Sequence, residues 1–126
     1  GLADLIIAND FERSLSVFLQ NSNGKLSGPT IFTTPYVEPK EVHIADVDGD
    51  GLNDIIIFTA GHTVSILYQY PDHSFSDISG YYLPVTITGG TTLHQMLSVG
   101  DITGDGLPDI VSAWTFDGLY VLRQRQ

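Results

Sequence analysis

Hydrophobic positions along this chain come in short, strand-sized bursts that alternate with polar ones, and long helices are not expected. Leu15-Ser16-Val17-Phe18, Val64-Ser65-Ile66-Leu67 and Leu119-Tyr120-Val121-Leu122 share one pattern, and Gly1 to Ile7 opens on a similar strand-like stretch. Ile55 to Phe58 is among the longest apolar runs and is only strand-sized. Glu41 to Ala45 and Met96 to Gly100 predict two further strands, while Pro29 to Thr34 and Tyr81 to Thr88 predict outer strands. The expectation is therefore an all-β chain of short strands and tight turns, in keeping with 13 glycines and 10% aromatic residues.

The pattern repeats. Asp46-Val47-Asp48-Gly49-Asp50-Gly51-Leu52-Asn53-Asp54-Ile55 is matched by Asp101-Ile102-Thr103-Gly104-Asp105-Gly106-Leu107-Pro108-Asp109-Ile110, 55 residues later (46 to 101). A truncated copy, Gly1-Leu2-Ala3-Asp4-Leu5, aligns with Gly51 to Ile55 at a spacing of 50 (4 to 54). About four strands per repeat of about 50 residues is the arithmetic of a β-propeller blade, and rings of such blades close with roughly 4 to 8 of them. The chain divides on this reading into an incomplete first blade (1–40), a complete middle blade (41–88) and a last blade lacking its outer strand (89–126). The expected fold is a partial β-propeller of four-stranded antiparallel blades, whose remaining blades come from a longer chain or from other subunits. A two-sheet sandwich of ten strands is the alternative.

Charge narrows the functions. The formal net charge is −10, from 15 acidic against 5 basic residues, and lacks the clustered cations that a phosphate backbone demands, so a nucleic-acid partner is not expected. Seven aspartates crowd into the two windows 46–54 and 101–109, where they repel one another unless a cation is bound. Cysteine is absent, which removes disulfides, thiolate metal sites and a cysteine nucleophile. No apolar stretch approaches the roughly 20 residues of a membrane-spanning helix.

Within 46–54, side-chain oxygens fall at positions 1, 3, 5 and 9, glycines at 4 and 6, and position 7 (Leu52) offers its carbonyl. Hard oxygen donors in that order suit calcium, and the glycines let a short loop wrap around one ion. An EF-hand needs a bidentate Glu at position 12, where this chain has Ile57 and Ser112, and a strand-like run follows each loop instead of a helix. The competing reading is an Asp-Gly surface turn held by side-chain-to-backbone hydrogen bonds.

These two Asp-x-Asp/Thr-Gly-Asp-Gly-x-x-Asp loops, with Thr63-Val64-Ser65-Ile66-Leu67 and the turn at Ser74-Phe75, resemble FG-GAP/VCBS repeats, the calcium-loaded blades of integrin-like propellers. The resemblance implies one calcium held by Asp46, Asp48, Asp50, Asp54 and the Leu52 carbonyl, and a second held by Asp101, Thr103, Asp105, Asp109 and the Leu107 carbonyl. Thr103 departs from the family pattern and removes one charge, so the second site is expected to be weaker. Two calcium ions would offset four of the ten formal negative charges.

The implied role is a non-catalytic module for extracellular or cell-surface binding, adhesion or scaffolding, secreted, with protein or carbohydrate as ligand. The alternatives are a blade segment of a secreted lectin-like protein, enzyme or toxin, and a self-assembling protein that pairs open blade edges. His43, His62, His73 and His94 lack metal-ligand spacing, Gly89-Gly90-Thr91-Thr92 lacks the Lys of a phosphate loop, and Asp72, Asp77, Asp117 and Glu38 read as surface groups. Tyr68, Tyr70, Tyr81, Tyr82, Trp114 and Phe116 read as packing between blades before they read as a sugar-stacking face.

Overall fold

A computed structural model describes residues 2–34, 38–59, 63–82, 95–114 and 118–123. Among these residues lie ten strands: β1 (Leu5–Asn9), β2 (Ser14–Phe18), β3 (Thr30–Thr33), β4 (Pro39–Ala45), β5 (Asp54–Thr59), β6 (Thr63–Leu67), β7 (Ser79–Tyr82), β8 (Gln95–Gly100), β9 (Asp109–Trp114) and β10 (Gly118–Leu122). No helix occurs among the described residues, and so none long and apolar enough to cross a membrane. The strands form three antiparallel sheets in the orders β1-β2-β3, β4-β5-β6-β7 and β8-β9-β10. Ten strands in three sheets exclude the two-sheet sandwich. Four strands pair only in the middle sheet; each end sheet has three among the described residues, and none closes on itself.

Alternation explains how the sheets stack. Ile55, Ile57 and Leu67 project from one face of the middle sheet and share a buried cluster with Leu15 and Val17 of the first sheet. Ile56, Phe58, Val64 and Ile66 project from the other face and bury against Leu97 and Ile110 of the third. Both faces of β5 and β6 are covered, which is why the Ile55 to Phe58 run has no polar positions. At about 1.5–3 kcal/mol for each large apolar side chain buried, these two layers are the main source of stability. An edge-to-face pair, Phe32 on Phe75 with ring centroids 5.6 Å apart, closes the periphery of the first interface.

Several strand boundaries differ from expectation, β4 starting at Pro39 where the sequence predicts Glu41 among them, and two have a visible reason. The first strand begins at Leu5 and not at Gly1, because Ala3 and Asp4 are engaged by Gln20: the Ala3 amide donates to Gln20 Oε1 at 3.0 Å, and the Gln20 amide donates to Asp4 Oδ1 at 2.8 Å. The outer strand of the middle sheet is Ser79–Tyr82, starting before the expected Tyr81, because an isolated bridge between Gln69 and Phe75 ends the turn early and lets Ser79 pair with Ile66. The rest of that expected strand, 83–88, lies outside the described residues.

Candidate metal centre

Each Asp-Gly loop joins two neighbouring strands of one sheet, 46–53 between β4 and β5 and 101–108 between β8 and β9. In the first loop Asp46 acts as the hub: its Oδ1 accepts from the amides of Gly49 (2.7 Å) and Asp50 (3.1 Å), and its Oδ2 from Gly51 (2.8 Å). Asp48 Oδ1 accepts from the Asp50 amide and Asp50 Oδ1 from the Leu52 amide, so each acidic side chain also folds the chain two residues on. Gly49 and Gly51 stand at φ 80° and 88°, the left-handed region that side chains with a Cβ avoid, and this lets the carboxylates converge.

The result is a group of three carboxylates, Asp46, Asp48 and Asp50, with oxygens within 4.8 Å of one another. Asp48 and Asp50 are exposed and Asp46 half-buried. At such a distance each pair of charges repels by about 1 kcal/mol in bulk water and by several at the effective dielectric of a protein surface. The ion pairs seen among the described residues all lie elsewhere, at Arg13, Lys40 and His43, so none relieves this crowding. Of the roughly four acceptor positions on a carboxylate, Asp48 and Asp50 each use one, leaving oxygens free for a hard cation. The donor set fits a calcium ion.

Asp54 has a different place. It is fully buried at the start of β5, and its carboxylate staples the loop to the sheet: Oδ2 accepts from the Val47 amide and Oδ1 from the Gln69 amide, both at 2.9 Å. Burial pushes its pKa above the ordinary carboxylate range, the charges of Asp48 and Asp50 push it further the same way, and the two amides oppose the shift. Asp54 stands outside the three-carboxylate group.

The second loop repeats this framework. Asp101 accepts from the amides of Gly104, Asp105 and Gly106, Asp105 Oδ1 from Leu107, and Gly104 and Gly106 stand at φ 77° and 88°. Buried Asp109 accepts at Oδ2 from the amides of Ile102 and Thr103, both at 3.1 Å. Its Oδ1 is buried without a partner among the described residues; position 124, which corresponds to Gln69, lies outside them. With Thr103 at the third position, the three remaining carboxylates do not gather into a comparable group.

A family model described as an FG-GAP-like repeat matches residues 1–57 and again 46–112. The chain belongs to this family. The two matches place one Asp-Gly loop near the end of the first matched segment and both loops inside the second. Comparison with curated proteins and with solved structures gave no significant match.

The FG-GAP-like repeats of this chain carry a second recurring device that the Asp-Gly pattern hides. Asp4 receives the Gln20 amide as Asp54 receives that of Gln69, and the turns that follow, 19–27 and 68–76, correspond bond for bond in their backbones. The Leu19 and Tyr68 amides donate to the hydroxyls of Ser27 and Ser76, and the Ser27 and Ser76 amides return to the carbonyls of Leu19 and Tyr68. Gly24 occupies a left-handed position at φ 75°, and His73 takes the equivalent one at φ 65°. The signal in the sequence is Gln20 and Ser27 against Gln69 and Ser76, at a constant spacing of 49 (20 to 69).

Of the remaining candidates, His43 Nε2 lies 2.9 Å from Glu41 Oε1, and Glu41 Oε2 accepts from the Leu97 amide of the third sheet, a tie between sheets that sequence reasoning missed. Tyr68 packs half-buried against the core and Tyr70 is exposed. Asp72 caps the amide and hydroxyl of Ser74, whose bonds hold its pKa below the usual range, and Glu38 pairs with Lys40 at 3.1 Å. Asp77 carries no such bond from its carboxylate among the described residues, although the Ser76 hydroxyl donates to its carbonyl. His62, His94, Phe116, Asp117, residues 89–92 and the side chains of Tyr81, Tyr82 and Trp114 lie outside the described residues.

Proposed function

We propose that the chain is a calcium-binding β-propeller-type module whose blades are its three antiparallel sheets, and that it serves as a non-catalytic binding or scaffolding unit. The supporting observation is the convergence of Asp46, Asp48 and Asp50 within 4.8 Å on a loop that no ion pair among the described residues neutralises. These three residues would hold the ion, joined by the Leu52 carbonyl and Asp54. Asp101, Thr103, Asp105, Asp109 and the Leu107 carbonyl would form a second, weaker site. When bound, calcium supplies charge neutralisation at the joint between the first two strands of a sheet; the chain's own residues preshape that joint through the amide bonds to Asp46 and Asp101.

Extracellular modules of this donor type bind calcium with dissociation constants of about 10⁻⁴–10⁻³ M, so such loops fill outside cells and stay largely empty in a cytosol. That argument favours a secreted or cell-surface setting; protein or carbohydrate as partner is proposed from the family resemblance alone. Thermal unfolding with excess calcium and with EDTA tests the reading. The melting temperature is expected to fall on chelation, and Asp46→Ala is expected to abolish most of the difference. Identical melts in both conditions, with no calcium retained by the protein, would sink the proposal.

A further inference from the structure

Val47 stands between Asp46 and Asp48, and it is the one buried residue of the loop 46–53. Its side chain joins the cluster that the middle sheet makes with the third, alongside Leu97 of β8 and Ile110 of β9. Ala45, on the other side of Asp46, packs against the same cluster. The opposite cluster, shared with the first sheet, takes no residue from this loop. In its apolar packing the loop therefore belongs to one sheet interface and not to the other. Two hydrogen bonds reinforce that bias. The Val47 amide donates to Asp54 Oδ2 at 2.9 Å, which holds the backbone at this position, and the Leu97 amide crosses the same interface to Glu41 Oε2 at 3.1 Å.

The three-carboxylate group and the sheet interface thus share one residue. An ion that draws the Asp46 and Asp48 carboxylates to one centre constrains the backbone of Val47 between them, and with it the direction in which the Val47 side chain leaves the loop. We infer that calcium at Asp46, Asp48 and Asp50 and the docking of the third sheet on the middle one are thermodynamically coupled through Val47, so that the ion tightens this interface and leaves the interface with the first sheet unchanged. The inference rests on the calcium reading proposed above. Such coupling is reciprocal: an ion that favours the docked interface binds more tightly when the interface is docked. Val47 is then a positioning residue, which offers the ion no side-chain oxygen and sets its affinity from behind the loop.

Calcium titration and hydrogen exchange of the full chain test this together, in an Asp105→Asn background that weakens the second loop while keeping an acceptor for the Leu107 amide. Val47→Ala and Leu97→Ala should each weaken calcium binding at the first loop at least about fivefold. The double variant should bind about as the weaker single one does, because both changes cut the same link. Should Leu97→Ala unfold, Leu97→Val takes its place, with a smaller change in the same direction. Calcium should also slow exchange across 95–100, where the Leu97 amide reports on the interface, at least about fivefold more than across 14–18 in the first sheet. Calcium binding that weakens in Val47→Ala alone would show a purely local role for that side chain and overturn the inference, as would protection spread equally over 14–18 and 95–100; either result leaves the calcium reading standing. Absence of calcium binding to the wild-type chain overturns both.

Discussion

The loops at 46–54 and 101–109 share a backbone and differ in what it holds. Each has one hub aspartate collecting three amides, two glycines at positive φ, and one buried aspartate pinning the loop to the sheet. Only the first gathers three carboxylates, because Asp48 stands where the second loop has Thr103. A hydrogen-bonded turn therefore does not exclude a candidate metal site on the same loop. The turn is the scaffold common to both loops, and the third position decides how much negative charge the scaffold presents.

The largest effect should come from the buried staple. Asp54→Ala leaves the amides of Val47 and Gln69 without their acceptor and is expected to cost about 2–5 kcal/mol in denaturant unfolding, calcium or not. A cost confined to calcium-loaded protein would show that Asp54 acts only through the ion. Next comes calcium itself: at a hundredfold excess over its dissociation constant, one occupied loop stabilises the fold by about 2.7 kcal/mol. Asp48→Thr is expected to remove about half of that gain, and the reciprocal change Thr103→Asp to raise it at the second loop, each by a calcium-affinity change of about tenfold.

Smaller effects probe the scaffold. Gly51→Ala and Gly106→Ala should each cost about 1–2 kcal/mol, and nearly the same amount, since no atom lies within 4 Å of the added methyl and the positive φ alone carries the strain. Unequal costs would break the equivalence of the two loops. The smallest change is a gain: His73→Gly, which restores the residue type of its counterpart Gly24, should stabilise by about 0.5–1 kcal/mol in thermal unfolding.

Much of this is legible in the sequence, because the periodic signals lie within single strands and loops. Alternation places β2, β6 and β10, and the Asp-Gly pattern places both loops between the strands they join. What the sequence does not show is what depends on partners distant in the chain. The loop pattern marks Asp54 as a ligand position but gives no sign that its carboxylate also takes two amides, one of them 15 residues away, that tie the loop to the sheet. The link from Glu41 to the Leu97 amide spans 56 residues and leaves no local pattern. The turns at 19–27 and 68–76 are hidden for a different reason: their backbone bonds coincide while little beyond Gln and Ser persists between them.

Calorimetric titration of calcium into EDTA-stripped protein tests the central claim most directly. Two binding events should appear, the tighter one lost in Asp48→Ala and the weaker one retained. Absence of any calcium binding into the millimolar range, or two events of equal strength that Asp48→Ala leaves untouched, would contradict it.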